Sequence, residues 1–235
     1  MNYLANLLSI LSLFFGFISI IFSIEGHFTF ACWAIILSVI FDGLDGQVAR
    51  RNPIPSEFGK ELDSLVDVIA FGIAPSTVGY IFLYRDFYFV AIIALFAYLL
   101  CSVWRLAKYN ITPKQNSTNY FNGLPTTASG GILASFILIY RKKGVVIFPE
   151  YVPVLFLFLI LLLAFLMVSR IRYLNLDGLK QLFGKNTKLV VLILVIVLII
   201  AGVLKKAGTT IFIFFLIYLI FSPFMVKRIS RANGE

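Results

Sequence analysis

Charge is scarce in this chain, and negative charge scarcest of all. Of 235 residues, 13% are charged and 60% hydrophobic, and only eleven are Asp or Glu. Soluble domains carry about 25% charged and 45–50% apolar residues, so a soluble globular domain is excluded. Cysteine is limited to Cys32 and Cys101, both inside apolar runs. They read as packing residues, and no disulfide framework follows from them. The single histidine, His27, stands in the short polar break Glu25-Gly26-His27; a lone histidine is a poor metal site, and it reads as a loop residue. The apolar runs do not alternate, which excludes a transmembrane β-barrel. No repeat of 20–50 residues is visible. The first apolar segment lacks both a basic start and a small-residue cleavage site, so it reads as a retained membrane helix and not as a signal peptide.

What is present in abundance is long apolar sequence. A bilayer core about 30 Å thick takes roughly 20 apolar residues per helix, and runs such as Val152–Val168 and Leu189–Leu204 have that character. Backbone groups in lipid must satisfy one another, so such runs form helices. The expected fold is all-α: a polytopic transmembrane helix bundle of about eight helices (six to eight). The expected spans are 4–24, 28–51, 60–84, 87–109, 126–140, 152–172, 187–204 and 209–227, within a single integral-membrane domain covering 1–235. Placing the N-terminus inside puts fourteen of the twenty Lys and Arg residues on the inner side. That bias predicts cytoplasmic termini, in the cell (inner) membrane. The net charge of +9 is spread over membrane-flanking loops. It suits anionic headgroups better than nucleic acid, and it would draw an anionic lipid substrate to the inner face.

Against this background the stretch FDGLDGQVARRNPIPSEFGKELDSLVDVIAFG, residues 41–72, holds six of the eleven acidic residues. At 100° per residue, Asp42, Asp45, Gly46 and Ala49 share one helix face about 100° wide, and Gly59, Asp63 and Asp67 follow at i, i+4, i+8 on the next helix. Pro53 and Pro55 break the chain between them, and Ser56 is a plausible N-cap. Measured from the interfacial residues Arg50 and Gly59, Asp42 and Asp67 lie about 12 Å deep, with Asp45 and Asp63 roughly 6–8 Å in. Four carboxylates are therefore expected to converge just below the cytoplasmic surface. A charge at a membrane helix centre costs about 2.5–3.5 kcal/mol, so four unpaired ones would cost on the order of 10 kcal/mol. The local cations Arg50, Arg51 and Lys60 sit at the interface. Divalent cations resolve the conflict, since hard carboxylate oxygens suit Mg²⁺, Mn²⁺ or Ca²⁺.

The spacing D-x2-D-G-x2-A-R-x8-G-x3-D-x3-D, met by Asp42, Asp45, Gly46, Ala49, Arg50, Gly59, Asp63 and Asp67, resembles the signature of the CDP-alcohol phosphotransferases, membrane enzymes of lipid synthesis. The resemblance implies that a CDP-linked lipid loses CMP as its phosphoryl group moves to an alcohol. It implies that the four aspartates hold two divalent ions and that the Gly and Ala positions make room for the cytidine nucleotide. It also implies that Asp67 is the general base. Asp42, Gly46, Ala49, Arg50 and Gly59 are then the CDP-lipid contacts, with Arg50 suited to a phosphate oxygen. Whether Asp67 takes a proton or only binds metal stays open, because metal contact weakens a carboxylate as a base.

Further stretches, DSLVDVIAFGIAPS (63–76), WRLAKYN (104–110), FNGLPTTASGG (121–131) and LMVSRIRYLN (166–175), are similar to the integral-membrane phosphatidylserine synthases within that family. This similarity implies L-serine as the acceptor and CDP-diacylglycerol, or an archaeal equivalent, as the donor. Lys108 stands where the family usually has Arg, and Thr126 or Thr127 where it has a second Pro. Arg105, Lys108 and Asn110 are candidates for the serine carboxylate or a lipid phosphate, as are Arg170 and Arg172; interfacial anchoring is the alternative. Two rival functions stay in view: the same chemistry with glycerol phosphate, inositol phosphate or another alcohol, and a cation transporter. The latter would place its acids near the midplane in both halves of a repeat. A homodimer is left open.

Overall fold

The computed structural model describes residues 2–50, 57–84, 87–111, 120–140, 151–175, 178 and 207–232. Seven helices occur among them: α1 (Asn2–Ile24), α2 (Phe28–Arg50), α3 (Glu57–Leu83), α4 (Tyr88–Ile111), α5 (Thr126–Tyr140), α6 (Val152–Val168) and α7 (Ala207–Ala232). Five of these, α1 to α4 and α7, are long and apolar enough to cross a membrane. The chain is an all-α, polytopic integral membrane protein. The expected span at 187–204 and the break at 52–56, with its N-cap at Ser56, lie outside the described residues.

Helices α1 and α2 form an antiparallel hairpin. Gly26 ends α1 with φ +80°, and the His27 and Gly26 amides return to the Phe22 and Ser23 carbonyls at 2.7 and 3.0 Å. This is the paired closure that a left-handed residue after a helix permits. Ala5, Ser9, Ser12, Ser19 and Ser23 are buried along one face of α1, and Gly16 falls on the same stripe. Small residues of this kind let membrane helices approach closely and bond across. Ser12 and Ser38 meet hydroxyl to hydroxyl at 2.7 Å. A Cβ on Gly16 would lie 2.8 Å from the Ala70 Cα, so this glycine admits α3 against α1.

Helix α3 is not uniform. It is α-helical over Glu57–Asp67, opens into a π turn over Val68–Ile73, and resumes over Ala74–Leu83. The sequence supplies the cause. Pro75 has no N–H, so the Phe71 carbonyl loses the donor four residues ahead. The Ala74 amide bonds back five residues to Ile69 instead. The turn begins immediately after Asp67.

The fifth span agrees with its expected bounds, yet it is short. Its place explains why that suffices: α5 is the bundle's central helix, with Ala128 to Ser135 and Ile137 all buried. It packs on α2, α3, α6 and α7. Gly131 leaves room for the Phe215 ring of α7. The sixth span, expected to reach 172, ends at Val168. Ser169 turns extended (ψ 160°), and the chain forms β2 (Arg172–Leu174), antiparallel to β1 (Tyr120–Asn122). Gly123, at φ +79°, packs its α-carbon against the Met167 carbonyl, where any side chain would collide. Helix α7 clasps this ladder: Tyr218 donates to the Leu174 carbonyl at 3.0 Å, and Ser222 accepts the Leu174 amide.

Candidate active site

Three of the four predicted aspartates meet. Asp42 on α2 and Asp63 and Asp67 on α3 each offer a carboxylate oxygen, and these atoms lie within 4.8 Å of one another. The i, i+4 step places Asp63 and Asp67 one turn apart on one face, as read from the sequence. Asp42 comes from the facing helix, so the two helices bring carboxylates to one point as the spacing implied. Carboxylates this close repel unless a proton or a cation lies among them.

Asp45 departs from the expected four-way convergence. It is buried, at 4% exposure, and its Oδ2 accepts a 2.7 Å hydrogen bond from Ser9 on α1. The first helix thus holds this carboxylate beside the group of three, near enough for its charge to bear on Asp42 and Asp63. Nothing in the sequence reading singles out Ser9, which lies within the first apolar span.

Two further residues that spacing alone did not reveal stand at the start of α5. Thr127 donates to Asp42 Oδ2 at 3.2 Å, and Thr126 donates to Asp67 Oδ2 at 3.3 Å. Neighbouring threonines therefore hold carboxylates from two different helices. Thr126 also accepts from Arg105 Nη1 at 3.4 Å, so Arg105 is drawn in beside Asp67. The other Asp67 oxygen, Oδ1, and the Arg105 Nε are buried without a protein partner. A buried carboxylate oxygen left over in a group of like charges is what a cation site needs, and the hard oxygen donors fit a divalent ion. The only signal for the threonines was their place in the FNGLPTTASGG stretch.

The remaining predicted residues are placed as follows. Gly46 is half-buried; a Cβ there would meet only Arg50 Nη2, at 3.8 Å, and at Gly43 nothing lies within 4 Å. Ala49 and Arg50 are exposed on the last turn of α2, Gly59 is half-buried on the first turn of α3, and Lys108 and Arg170 are exposed. Arg172 lies 4.5 Å over the Tyr120 ring, which accounts for it as part of the β ladder. Asn110 is engaged between helices: its carbonyl accepts from Lys60 at 2.8 Å and its side chain bonds Ser64. It ties α3 to α4.

The open side of Gly46 yields a prediction of opposite signs. Glycine to alanine inside a helix stabilises by up to about 1 kcal/mol, and the Cβ meets no obstacle here. Gly46→Ala is expected to melt at or above the parent temperature in detergent. If the space serves a nucleotide, the same change and Ala49→Leu raise the KM for a CDP-lipid, by roughly tenfold for the larger side chain. An unchanged KM in Ala49→Leu removes the steric role.

Fold and site together define a polytopic membrane protein with an acidic, cation-type centre between its second, third and fifth helices. The family model for CDP-alcohol phosphatidyltransferase matches residues 2–166, and the chain belongs to that family. It is similar to the CDP-diacylglycerol–serine O-phosphatidyltransferase of Helicobacter pylori strain 26695, at 37% identity over 81% of this chain and 78% of that protein. It is also similar to the archaetidylserine synthase of Methanothermobacter thermautotrophicus, at 34% identity over 74% and 71%. A yeast protein, the CDP-diacylglycerol–serine O-phosphatidyltransferase of Saccharomyces cerevisiae, matches at 35% over 60% and 55%.

Proposed function

We propose that this protein transfers the phosphatidyl group of CDP-diacylglycerol to the hydroxyl of L-serine, releasing CMP and forming phosphatidylserine. The observation that carries the reading is the meeting of Asp42, Asp63 and Asp67, held by Thr126 and Thr127, in a family whose relatives are named for this transfer. The serine oxygen forms a bond to the phosphorus on the lipid side of the pyrophosphate. The bond from that phosphorus to the CMP oxygen breaks, and CMP leaves with the electron pair. The hydroxyl proton passes to Asp67.

Asp42, Asp63 and Asp67 would hold one divalent cation, and Asp45 with its neighbours a second, of the Mg²⁺, Mn²⁺ or Ca²⁺ kind. Such ions, when bound, neutralise the pyrophosphate and the developing charge on CMP. Gly46 and Ala49 leave space for the nucleotide, with Asp42 and Gly59 beside it, and Arg50 stands at the mouth to meet a phosphate. Arg105 orients the acceptor: its Nη1 is committed to Thr126, and its unpartnered Nε is free for the serine carboxylate. Lys108 and Arg170, exposed at the same end of the sequence pattern, would gather anionic lipid. The whole chain acts as one membrane domain, its shared core running from Ala31 on α2 to Ile211 on α7. The inner-side excess of Lys and Arg supports a site at the cytoplasmic face of the cell membrane.

The test is release of CMP from CDP-diacylglycerol by the purified protein, with labelled serine, glycerol phosphate or inositol phosphate supplied in turn. Equimolar CMP and labelled phosphatidylserine are expected with serine alone. Label entering lipid from a different alcohol overturns the acceptor and leaves the chemistry. No CMP release with any acceptor, from either diacyl or ether-linked donor, overturns the function.

A further inference from the structure

One buried hydroxyl pair stands beside the π turn, and its hydrogen bonds go to groups other than the aspartates. Tyr98 on α4 is fully buried and donates to the Phe71 carbonyl at 2.9 Å. Phe71 belongs to the π turn and is the residue whose usual amide donor Pro75 removes. Tyr98 supplies the donor that proline cannot. With the phenol proton on Phe71, the single Ser129 proton goes either to the Tyr98 Oη, 2.9 Å away, or to the Thr126 carbonyl of its own helix, 2.7 Å away. Ser129 is fully buried as well.

Three elements converge on this pair, and each carries a site residue one step away. The π turn begins at Val68, directly after Asp67. The Thr126 carbonyl belongs to the residue whose hydroxyl holds Asp67 and receives Arg105. On α4, Arg105 is seven residues beyond Tyr98, two turns up the same face. Arg105 binds Thr126 where Tyr98 binds Ser129, so α4 and α5 are joined at two levels. A π turn is a widened and weakened stretch of helix, and left to itself it would let the Asp67 end of α3 shift against α5. Buried hydroxyls partnered across helices favour one arrangement of a core.

We infer that Tyr98 and Ser129 are positioning residues, which lock the π turn and the start of α5 so that Asp67 and Thr126 keep their register. The inference rests on the reading of Asp42, Asp63 and Asp67 as a cation site. Its chemistry is a pair of buried hydroxyls in contact between α4, the third helix and the fifth; it makes no contact with substrate.

The experiment compares the parent protein with Tyr98→Phe and Ser129→Ala, each purified in detergent. Mn²⁺ binding is measured by the paramagnetic signal of the free ion, alongside thermal melting and serine-dependent CMP release. Both variants are expected to fold, because Phe keeps the ring in its packed place and Ala removes a single oxygen. Mn²⁺ affinity is expected to fall about tenfold and kcat by a similar factor, with the KM for CDP-lipid little changed. A purely packing role lowers the melting temperature and leaves Mn²⁺ affinity alone; that result, or parent values throughout, overturns the inference. If Tyr98→Phe does not fold, Ser129→Ala decides, since it keeps the phenol on Phe71 and removes only the Ser129 hydroxyl with its contacts to Tyr98, the Thr126 carbonyl and Met167 Sδ. Failure of the parent protein itself to bind Mn²⁺ instead overturns the cation reading on which the inference stands.

Discussion

Exchanging Asp42 or Asp63 for asparagine is expected to lower serine-dependent CMP release by about three orders of magnitude while leaving the helices assembled. The size follows from the charge these groups manage. Cation stabilisation of a transferring phosphoryl group is worth several kcal/mol, and about 1.36 kcal/mol is tenfold in rate. Assembly should survive because asparagine keeps an oxygen for Thr127, which donates to Asp42 at 3.2 Å in the parent. It should even gain. The Asp42 charge bears on Asp45, Asp63 and Asp67, and like charges at this range repel. In metal-free buffer the asparagine variants are therefore expected to melt at or above the parent temperature. Adding Mg²⁺ or Mn²⁺ raises the parent's melting temperature by mass action and moves the variants less. Chelation of the parent reproduces the loss of turnover. Robust CMP release in EDTA, or an Asp63→Asn variant with parent turnover, removes the carboxylates from the chemistry.

The cluster was legible because it depends on local periodicity. Two carboxylates on one face of α2 and two on one face of α3, separated by a proline break, can be placed on facing helices from spacing alone. What spacing cannot carry is a partner from a distant helix. Ser9 precedes Asp45 by 36 residues, and its capture of that carboxylate depends on how α1 crosses α2. Thr126 and Thr127 lie 59 and 85 residues from the aspartates they bind; they stood in a singled-out stretch but carried no role there. The π turn had a signal in Pro75, whose missing N–H forces a rearrangement, although hydropathy runs straight through it. The last helix read as merely apolar, and hydropathy could not show that Tyr218 and Ser222 grip the strand beyond α6. Apolar length locates helices well and their ends poorly, as the early exit of α6 at Val168 illustrates.

Asp67 is the carboxylate whose role the sequence left undecided, and the structure sharpens the choice. Its Oδ2 accepts from Thr126 and its Oδ1 is buried without a protein partner. One oxygen is thus fixed and the other is free to take a proton or a cation. A seryl hydroxyl becomes a competent nucleophile only when its proton has somewhere to go, and a positioned base contributes about 10²–10⁴-fold. Asp67→Asn keeps an oxygen for Thr126 and removes the basicity, so kcat is expected to fall within that range. CDP-lipid affinity should hold, because Asp42, Asp45 and Asp63 still supply oxygen donors to the cation. The deciding measurements are Mn²⁺ affinity, CDP-lipid binding and turnover on one preparation. Loss of turnover alone assigns the proton to Asp67. Loss of Mn²⁺ and CDP-lipid binding together with turnover makes Asp67 chiefly a metal ligand, and the serine proton must then leave by another route.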